Sequence, residues 1–496
     1  MYIAPMKHFY LLAATILFSF STFAQIQLGK NIDGESLYDE SGSSVSLSSD
    51  GSIVAIGAPL NDDNGISSGQ VRIYKYQTDT WTQLGKDMDG ETEGDKSGYS
   101  LSMSSDGSIL AIGAFGNKGN GFNSGHVRIY QYHSGTWTQL GKDIDGEAAG
   151  DQSGRVSLSS DGSIVAIGAL GNDGNGNGSG HVRVYQYQSG TWAQLGKDID
   201  GEAAGDYSGT FLSLSSDGSV VAIGAPENDG NGTSSGHVRI YKYQSGNWTQ
   251  LGKDIDGEAA GDYCGVVSLS SDGSIVAIGA HRNVVNGDVS GHARVYKYQS
   301  GNWTQLGNDI DGESQADAFG YSVSISADGT ILAIGAPGID ISGNNPGYVK
   351  FYRFQSGTWV LNGKKIVGED TSDYCGSSLS ISTDGSIVAI GAPGNSGNGT
   401  RSGHVRVYKM DGGNVGIPSI KSEFIIYPNP TSKELMIKVE SNLLGSVYSI
   451  IGPIGQKVKE GNLTSLKSTI DVSALPKGNY LLKIGEANGT FKFQVQ

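Results

Sequence analysis

Residues 98–147 read GYSLSMSSDGSILAIGAFGNKGNGFNSGHVRIYQYHSGTWTQLGKDIDGE, and this stretch decides the fold. Leu101-Ser102-Met103-Ser104 alternates apolar and small polar residues, the period of a half-buried strand. Asp106-Gly107 follows, a dipeptide that favours a tight hairpin between two such runs. Ile109 to Ala114 is apolar throughout, which predicts a strand covered on both faces. A Gly/Asn-rich loop leads to Val127-Arg128-Ile129-Tyr130-Gln131-Tyr132, a third strand by its Val, Ile and Tyr content. After His133-Ser134-Gly135 comes a fourth, Thr136 to Lys142, whose polar residues suit an outer edge.

The same pattern recurs seven times. Its opening Leu-Gly falls at Leu28, Leu84, Leu140, Leu195, Leu251 and Leu306, with Asn362-Gly363 in the seventh unit, so successive units start 55 or 56 residues apart. Units repeated without gaps cannot each bury their apolar faces alone. Four short antiparallel strands per unit and no helical period predict an all-β chain built around a seven-bladed β-propeller. An open solenoid is the rival, and the ends of the array decide. The seventh unit stops after Val405-Arg406-Val407-Tyr408 with no Trp and no fourth strand, while an unpartnered fourth-strand segment, Ile26 to Asp33, stands near the start. That offset is what a ring needs, because the first segment then completes the last blade.

The sequence opens with Lys7-His8, the apolar run from Phe9 to Phe20, and small residues up to Ala24, the pattern of a secretory signal peptide over 1–24. No later run approaches the ~20 apolar residues of a membrane helix. A formal net charge of -16 argues against a nucleic-acid partner, whose phosphates need clustered Lys and Arg. Cys264 and Cys375, the only two cysteines, replace the Ser of a recurring Ser-Gly step two units apart. Such positions do not meet in a disulfide, so free and mostly buried thiols are expected.

Phe319-Gly320 followed by Gly335-Ala336-Pro337, with Gly-Ala-Pro again at Gly57, Gly224 and Gly391, resembles the FG-GAP repeat of integrin α-chain propellers. The resemblance spans 25–411. Phe-Gly is literal only once. The calcium loop that such repeats usually carry between the first two strands has no counterpart in the Ser-Asp-Gly-Ser turn. From Phe424 the repeats cease. Tyr427-Pro428-Asn429-Pro430, Gly455-Gln456, and Leu475-Pro476-Lys477-Gly478-Asn479-Tyr480-Leu481-Leu482-Lys483-Ile484 resemble the C-terminal sorting domain of type IX secretion, here 423–496 after a linker at 412–422. Alternating short strands in this segment predict a small Ig-like β-sandwich. The resemblance implies passage through the periplasm, recognition by the secretion machinery at the outer membrane, and release or anchoring at the cell surface.

In a four-stranded meander the two long loop families share one end of the ring, where binding residues concentrate. One family reads Asp-Ile-Asp-Gly-Glu-x-x-Gly-Asp; Asp145, Glu147 and Asp151 there, with Asp173 and Asp229 of the other loop, are candidate Ca²⁺ ligands. The same carboxylates equally suit capping of turn N–H groups. His126, His181, His237, His292 and His404 each fall in a different unit, so they do not form one zinc centre and read as structural. The recurrent Trp residues read as packing between blades. Positions that break the repeat are the better ligand candidates: Phe115, Phe122, Arg155, His281, Arg282 and Arg401. Arg155 stands where a one-residue deletion is expected to shorten its strand. No nucleophile elbow, metalloprotease, CxxC or phosphate-loop motif occurs. The expectation is a monomeric, non-enzymatic exported protein that binds an extracellular protein or glycan. The alternatives are an exported polysaccharide hydrolase or lyase, or a passive surface-layer component.

Overall fold

The computed structural model describes residues 25–285, 288–338, 345–410, 424–427, 431, 433–439, 444–452, 456–484 and 488–495. The expected signal peptide, the linker, and the tail motifs at Pro428-Asn429-Pro430 and Pro453-Ile454-Gly455 lie outside the described residues. Two compact units divide the chain between Gly412 and Gly413. Among the described residues no helix is long and apolar enough to cross a membrane.

Among the described residues the larger unit holds seven five-stranded antiparallel sheets and a two-stranded ribbon, Val284–Val285 with Asp288–Val289. In the sheet of blade two, Ser100–Met103 pairs Ile109–Ala114, which pairs His126–His133, which pairs Thr136–Gln139 at the outer edge. The outer strand is shorter than the sequence predicts. It breaks at Leu140-Gly141, where Gly141 takes φ +83, and resumes as Ile144–Asp145 against Val127 and His126. The second strand is apolar because it is buried on both faces, as in Ile53–Ala58, where every residue is buried.

The first strands of successive blades adjoin one another around the axis, and that of blade seven, Ser378–Ile381, returns to that of blade one, Ser44–Leu47. Two circuits of hydrogen bonds tie this inner ring. In one, the Ser49 N–H donates to the Ser105 carbonyl at 2.8 Å, and the chain of donors continues through Ser160, Ser216, Ser271 and Ala327 to Thr383, whose N–H donates back to Ser49 at 2.9 Å. In the other, the edge N–H groups of Leu47, Met103, Leu158, Leu214, Leu269, Ile325 and Ile381 donate to Oγ of Ser380, Ser46, Ser102, Ser157, Ser213, Ser268 and Ser324. The recurring Ser-x-Ser of the first strand thus satisfies an edge that would otherwise be open.

Closure is made by the first described residues. Gln25, Ile26 and Gln27 pair Met410, Lys409 and Tyr408, and Ile32 and Asp33 pair Val405 and His404. This supplies blade seven with the outer strand its own sequence lacks. At the rim, each Trp indole donates to the Leu carbonyl of the preceding blade, from Trp81 to Leu28 at 2.7 Å through Trp359 to Leu306 at 2.8 Å. The Leu-Gly step keeps Gly because a Cβ at Gly85 would lie 2.7 Å from the Trp137 ring. In the second strand a Cβ at Gly224 would meet the Gly265 carbonyl oxygen of the next blade at 1.9 Å.

Where units three and five lack one residue, the first strand is lengthened rather than shortened. Ser153–Leu158 and Cys264–Leu269 have six residues each, with register shifts between Ser153 and Arg155 and between Cys264 and Val266. Deleting a turn residue draws the Ser-Gly step into the ladder as a bulge. Cys264 and Cys375 are free and buried, and burial pushes both thiols up to about 11. The Ser Oγ atoms at their place in other blades, Ser97, Ser153 and Ser208, are buried without a partner. A thiol loses less there than a hydroxyl.

The smaller unit is two sheets, Phe424–Tyr427 with Glu434–Val439 and Lys467–Asp471, and Val447–Ile451 with Lys457–Asn462, Gly478–Ile484 and Asn488–Val495. Leu435, Ile437 and Ile470 of one sheet pack with Ile450, Leu482 and Phe493 of the other, making a small β-sandwich.

Candidate functional site

The two long loop families lie against each other on one face of the ring. In blade two the Asn120 amide donates to the Gly146 carbonyl at 2.8 Å, and the Gly150 N–H donates to Phe122. The first strands start on this face. The residues that lead into them therefore stand around the axis, and in blades one and seven they are small: Ser43 and Ser377 simply bond their own turn carbonyls. In blades two to six this position and its neighbours carry aromatic and basic side chains instead.

Arg155 lies 4.4 Å above the Tyr99 ring, donates to the Tyr99 hydroxyl at 3.3 Å, and sits 6.0 Å from the Phe211 ring of the next blade. The bulge places it there, because Arg155 occupies the column of Ser100 and Phe211. Tyr99 meets Phe115 edge-on at 4.6 Å, and Lys96 caps that ring at 5.0 Å. On blade five Arg282 stacks 4.5 Å from Tyr263, and His281 lies 6.0 Å from Tyr263 and 5.5 Å from Tyr321 of blade six. Tyr321 joins the two halves. Burial raises its hydroxyl pKa, with Tyr99 raising it further and the Arg155 charge opposing, yet its side chain remains 41 % exposed. Burial first, and then the Arg282 charge, hold His281 at about 4, so it is neutral, and its Nδ1 is buried without a partner.

Phe115 and Arg155 thus fall in one contact group of this aromatic and cationic cluster, and His281 and Arg282 in the other. Phe122 and Arg401 belong to neither: Phe122 is 70 % exposed on its loop, and Arg401 is paired with Glu40. Tyr99, Phe211, Tyr263 and Tyr321 complete the cluster and were not singled out from the sequence, since a Tyr or Phe beside a strand reads as ordinary packing. The signal available was that Tyr99 and Tyr321 stand in the column of Ser43 and Ser377.

The carboxylates read as possible Ca²⁺ ligands are dispersed. Asp151 accepts the N–H groups of Glu147 and Ala148 at 3.1 and 3.0 Å. Asp173 accepts from Gly178 and Asp229 from Ser234, each at 2.8 Å. Asp145 pairs His126 in the outer strand and offers its carbonyl to Arg183 at 2.9 Å. Glu147 faces Arg183 at 3.3 Å and, of these five, alone joins a group of possible metal donors, with His181 and Asp198.

Comparison with known proteins agrees with the two units. Residues 33–74 match the FG-GAP repeat, and residues 425–496 match the secretion system C-terminal sorting domain. No curated protein matches the chain. Among solved structures, hydrazine synthase of Kuenenia stuttgartiensis is similar at 14 % identity and a TM-score of 0.50, covering 77 % of this chain and 97 % of that one. A protein of Bacteroides uniformis, proposed to be a 6-phosphogluconolactonase, is similar at 13 % identity and a TM-score of 0.48, covering 68 % and 89 %. The first likeness concerns the propeller fold alone. The sorting domain marks the chain as exported by type IX secretion to the cell surface or the medium.

Proposed function

We propose that this exported FG-GAP propeller is a non-enzymatic binding protein that takes an acidic glycan at the axial mouth of its loop face. The observation that carries the reading is two aromatic and cationic contact groups at the entry to the first strands, Arg155 with Tyr99, Phe115 and Phe211 on blades two to four and His281 with Tyr321 on blades five and six. Aromatic faces offer apolar platforms to sugar rings, and a guanidinium held over a ring offers two parallel donors to a carboxylate. Rigid strands set both, so little ordering is required on binding. The elution of uronic-acid polysaccharides and neutral controls from a column of immobilised protein tests it. Retention of the acidic polymers that falls at least tenfold in Arg155→Ala and in Tyr321→Ala supports the reading; equal passage of acidic and neutral polymers opposes it.

A second reading rests on His281. A neutral imidazole with an unpartnered Nδ1, beside Tyr263, Tyr321 and the Arg282 charge, resembles the base and charge-neutralising set that a polysaccharide lyase needs. Unsaturated product accumulating on the same acidic polymers, and lost in His281→Gln, would favour that enzyme.

A further inference from the structure

A different set of side chains recurs between the blades, away from the axis. In blades two to five a His at the start of the third strand meets a Glu from the preceding link and an Asp from the outer edge: Glu91, His126 and Asp143; Glu147, His181 and Asp198; Glu202, His237 and Asp254; Glu258, His292 and Asp309. In blade four, His237 Nδ1 stands 3.7 Å from Glu202 Oε2 and 3.9 Å from Asp254 Oδ2. These separations exceed hydrogen-bond length, so the ring nitrogen is aimed between two carboxylates without bonding either. The histidine is 2 % exposed.

The carboxylates are held from behind. Arg239 takes the other Glu202 oxygen at 3.5 Å, and the Gln250 amide takes the other Asp254 oxygen. Gln194 and Gln305 do the same for Asp198 and Asp309 at 2.6 Å. One oxygen of each carboxylate is thereby left facing the imidazole. Outer partners of this kind orient the donors of metal sites.

The independent observation comes from the blades in which the set is broken. In blade six Tyr348 stands for the His and Lys365 for the Asp. The Lys365 ammonium lies 2.7 Å from Glu313 Oε2 and 4.7 Å from the Tyr348 ring centre. The protein thus supplies its own cation at the Glu oxygen that faces His in the other blades. In blade seven Asn31 stands for the Asp, and its amide donates to Glu369 at 3.1 Å and faces His404 Nδ1 at 3.5 Å. Where the Asp is lost, a hydrogen-bearing nitrogen enters the space.

We propose that blades two to five each bind one divalent cation of the zinc class through His Nδ1, Glu Oε2 and Asp Oδ2. An imidazole donor disfavours Ca²⁺, which takes oxygen ligands, and suits zinc. A tetrahedral ion with bonds of ~2.1 Å keeps its donors ~3.4 Å apart, so closure draws in the 3.7 and 3.9 Å contacts of His237 by about 0.3 and 0.5 Å, and the other donor pairs, all within 4.8 Å, by at most about 1.4 Å. The rim carboxylates are partly exposed, Glu202 at 46 % and Asp254 at 31 %, which leaves a route for the ion and room for a water as fourth ligand. Such ions would cross-link neighbouring blades of an extracellular ring.

The test is zinc stoichiometry on the exported chain after EDTA treatment, by equilibrium dialysis and elemental analysis, with Co²⁺ absorption as a second reading. The control carries Asp143→Asn, Asp198→Asn, Asp254→Asn and Asp309→Asn together, which copies what blade seven already tolerates. Four ions on the native chain, three on the single variant Asp254→Asn and none on the fourfold variant support the proposal. His237→Gln, which installs the residue found in blade one at Gln70, should also remove one ion. Native chain that binds less than one zinc, zinc retained by the fourfold variant, or zinc displaced by a hundredfold excess of Ca²⁺ would each overturn it.

Discussion

Acidification should destabilise this propeller in a window set by its buried histidines. Burial holds His237, His281 and His292 at about 4, against an ordinary value of 6.5. Their folded pKa values are depressed, so the neutral fold loses stability as pH falls below 6.5, where the unfolded chain takes up protons and the native chain does not. Between pH 7.5 and pH 5 each such histidine contributes a loss on the order of 2 kcal/mol, and the three together about 6 kcal/mol. The carboxyls of Asp39, Asp89, Asp256 and Asp311 are raised by partial desolvation and act in the opposite sense, but only nearer the carboxylate range. Urea unfolding in EDTA at the two pH values measures the difference. His237→Gln should reduce the loss by about 2 kcal/mol, with the lowered His126, His181 and His404 supplying a further part that the variant keeps. An equal loss in native and variant chains, or none in either, would refute the assignment of neutral buried imidazoles.

Other outcomes follow from single contacts. Gly224→Ala drives a Cβ against the Gly265 carbonyl and should cost on the order of 3 kcal/mol in thermal or urea unfolding. Asp262→Ala removes the acceptor for the Glu258 and Ala259 N–H groups and for the Asn283 amide, a loss of about 2 kcal/mol that Ca²⁺ should leave unchanged. Cys264 and Cys375, buried thiols pushed up to about 11, should resist a thiol reagent in the native protein and react fully in denaturant, as followed by mass.

The ring was legible because the missing outer strand of the seventh unit and the spare strand before the first were both visible as text. The bulges were not. A one-residue deletion reads as a shorter strand, whereas the turn, the more pliable element, absorbed the change and let Ser153 and Cys264 enter the ladder. Looking where the repeat fails led to Arg155, Phe115, His281 and Arg282, which the structure sets against aromatic rings, and to Phe122 and Arg401, which it sets apart from them. The His-Glu-Asp groups were hidden for the opposite reason. Recurrence argued for a structural role, and the three members come from a link, a third strand and an outer edge that only the blade topology brings together. Comparing histidines with one another could not reveal partners of another type.

The central claim is that the first strand latches the ring, and hydrogen exchange of the Val405 and Val407 amides tests it most directly. In the intact chain these strand amides face Ile32 and the Leu28 segment across the joint, where the Leu28 N–H donates to the Val407 carbonyl at 2.8 Å. Deleting residues 25–33 should speed their exchange by orders of magnitude and lower the melting temperature, while the blade-four amides of Val238 and Ile240 stay protected until global unfolding. Unchanged exchange in blade seven, with unchanged melting, would contradict closure by that strand.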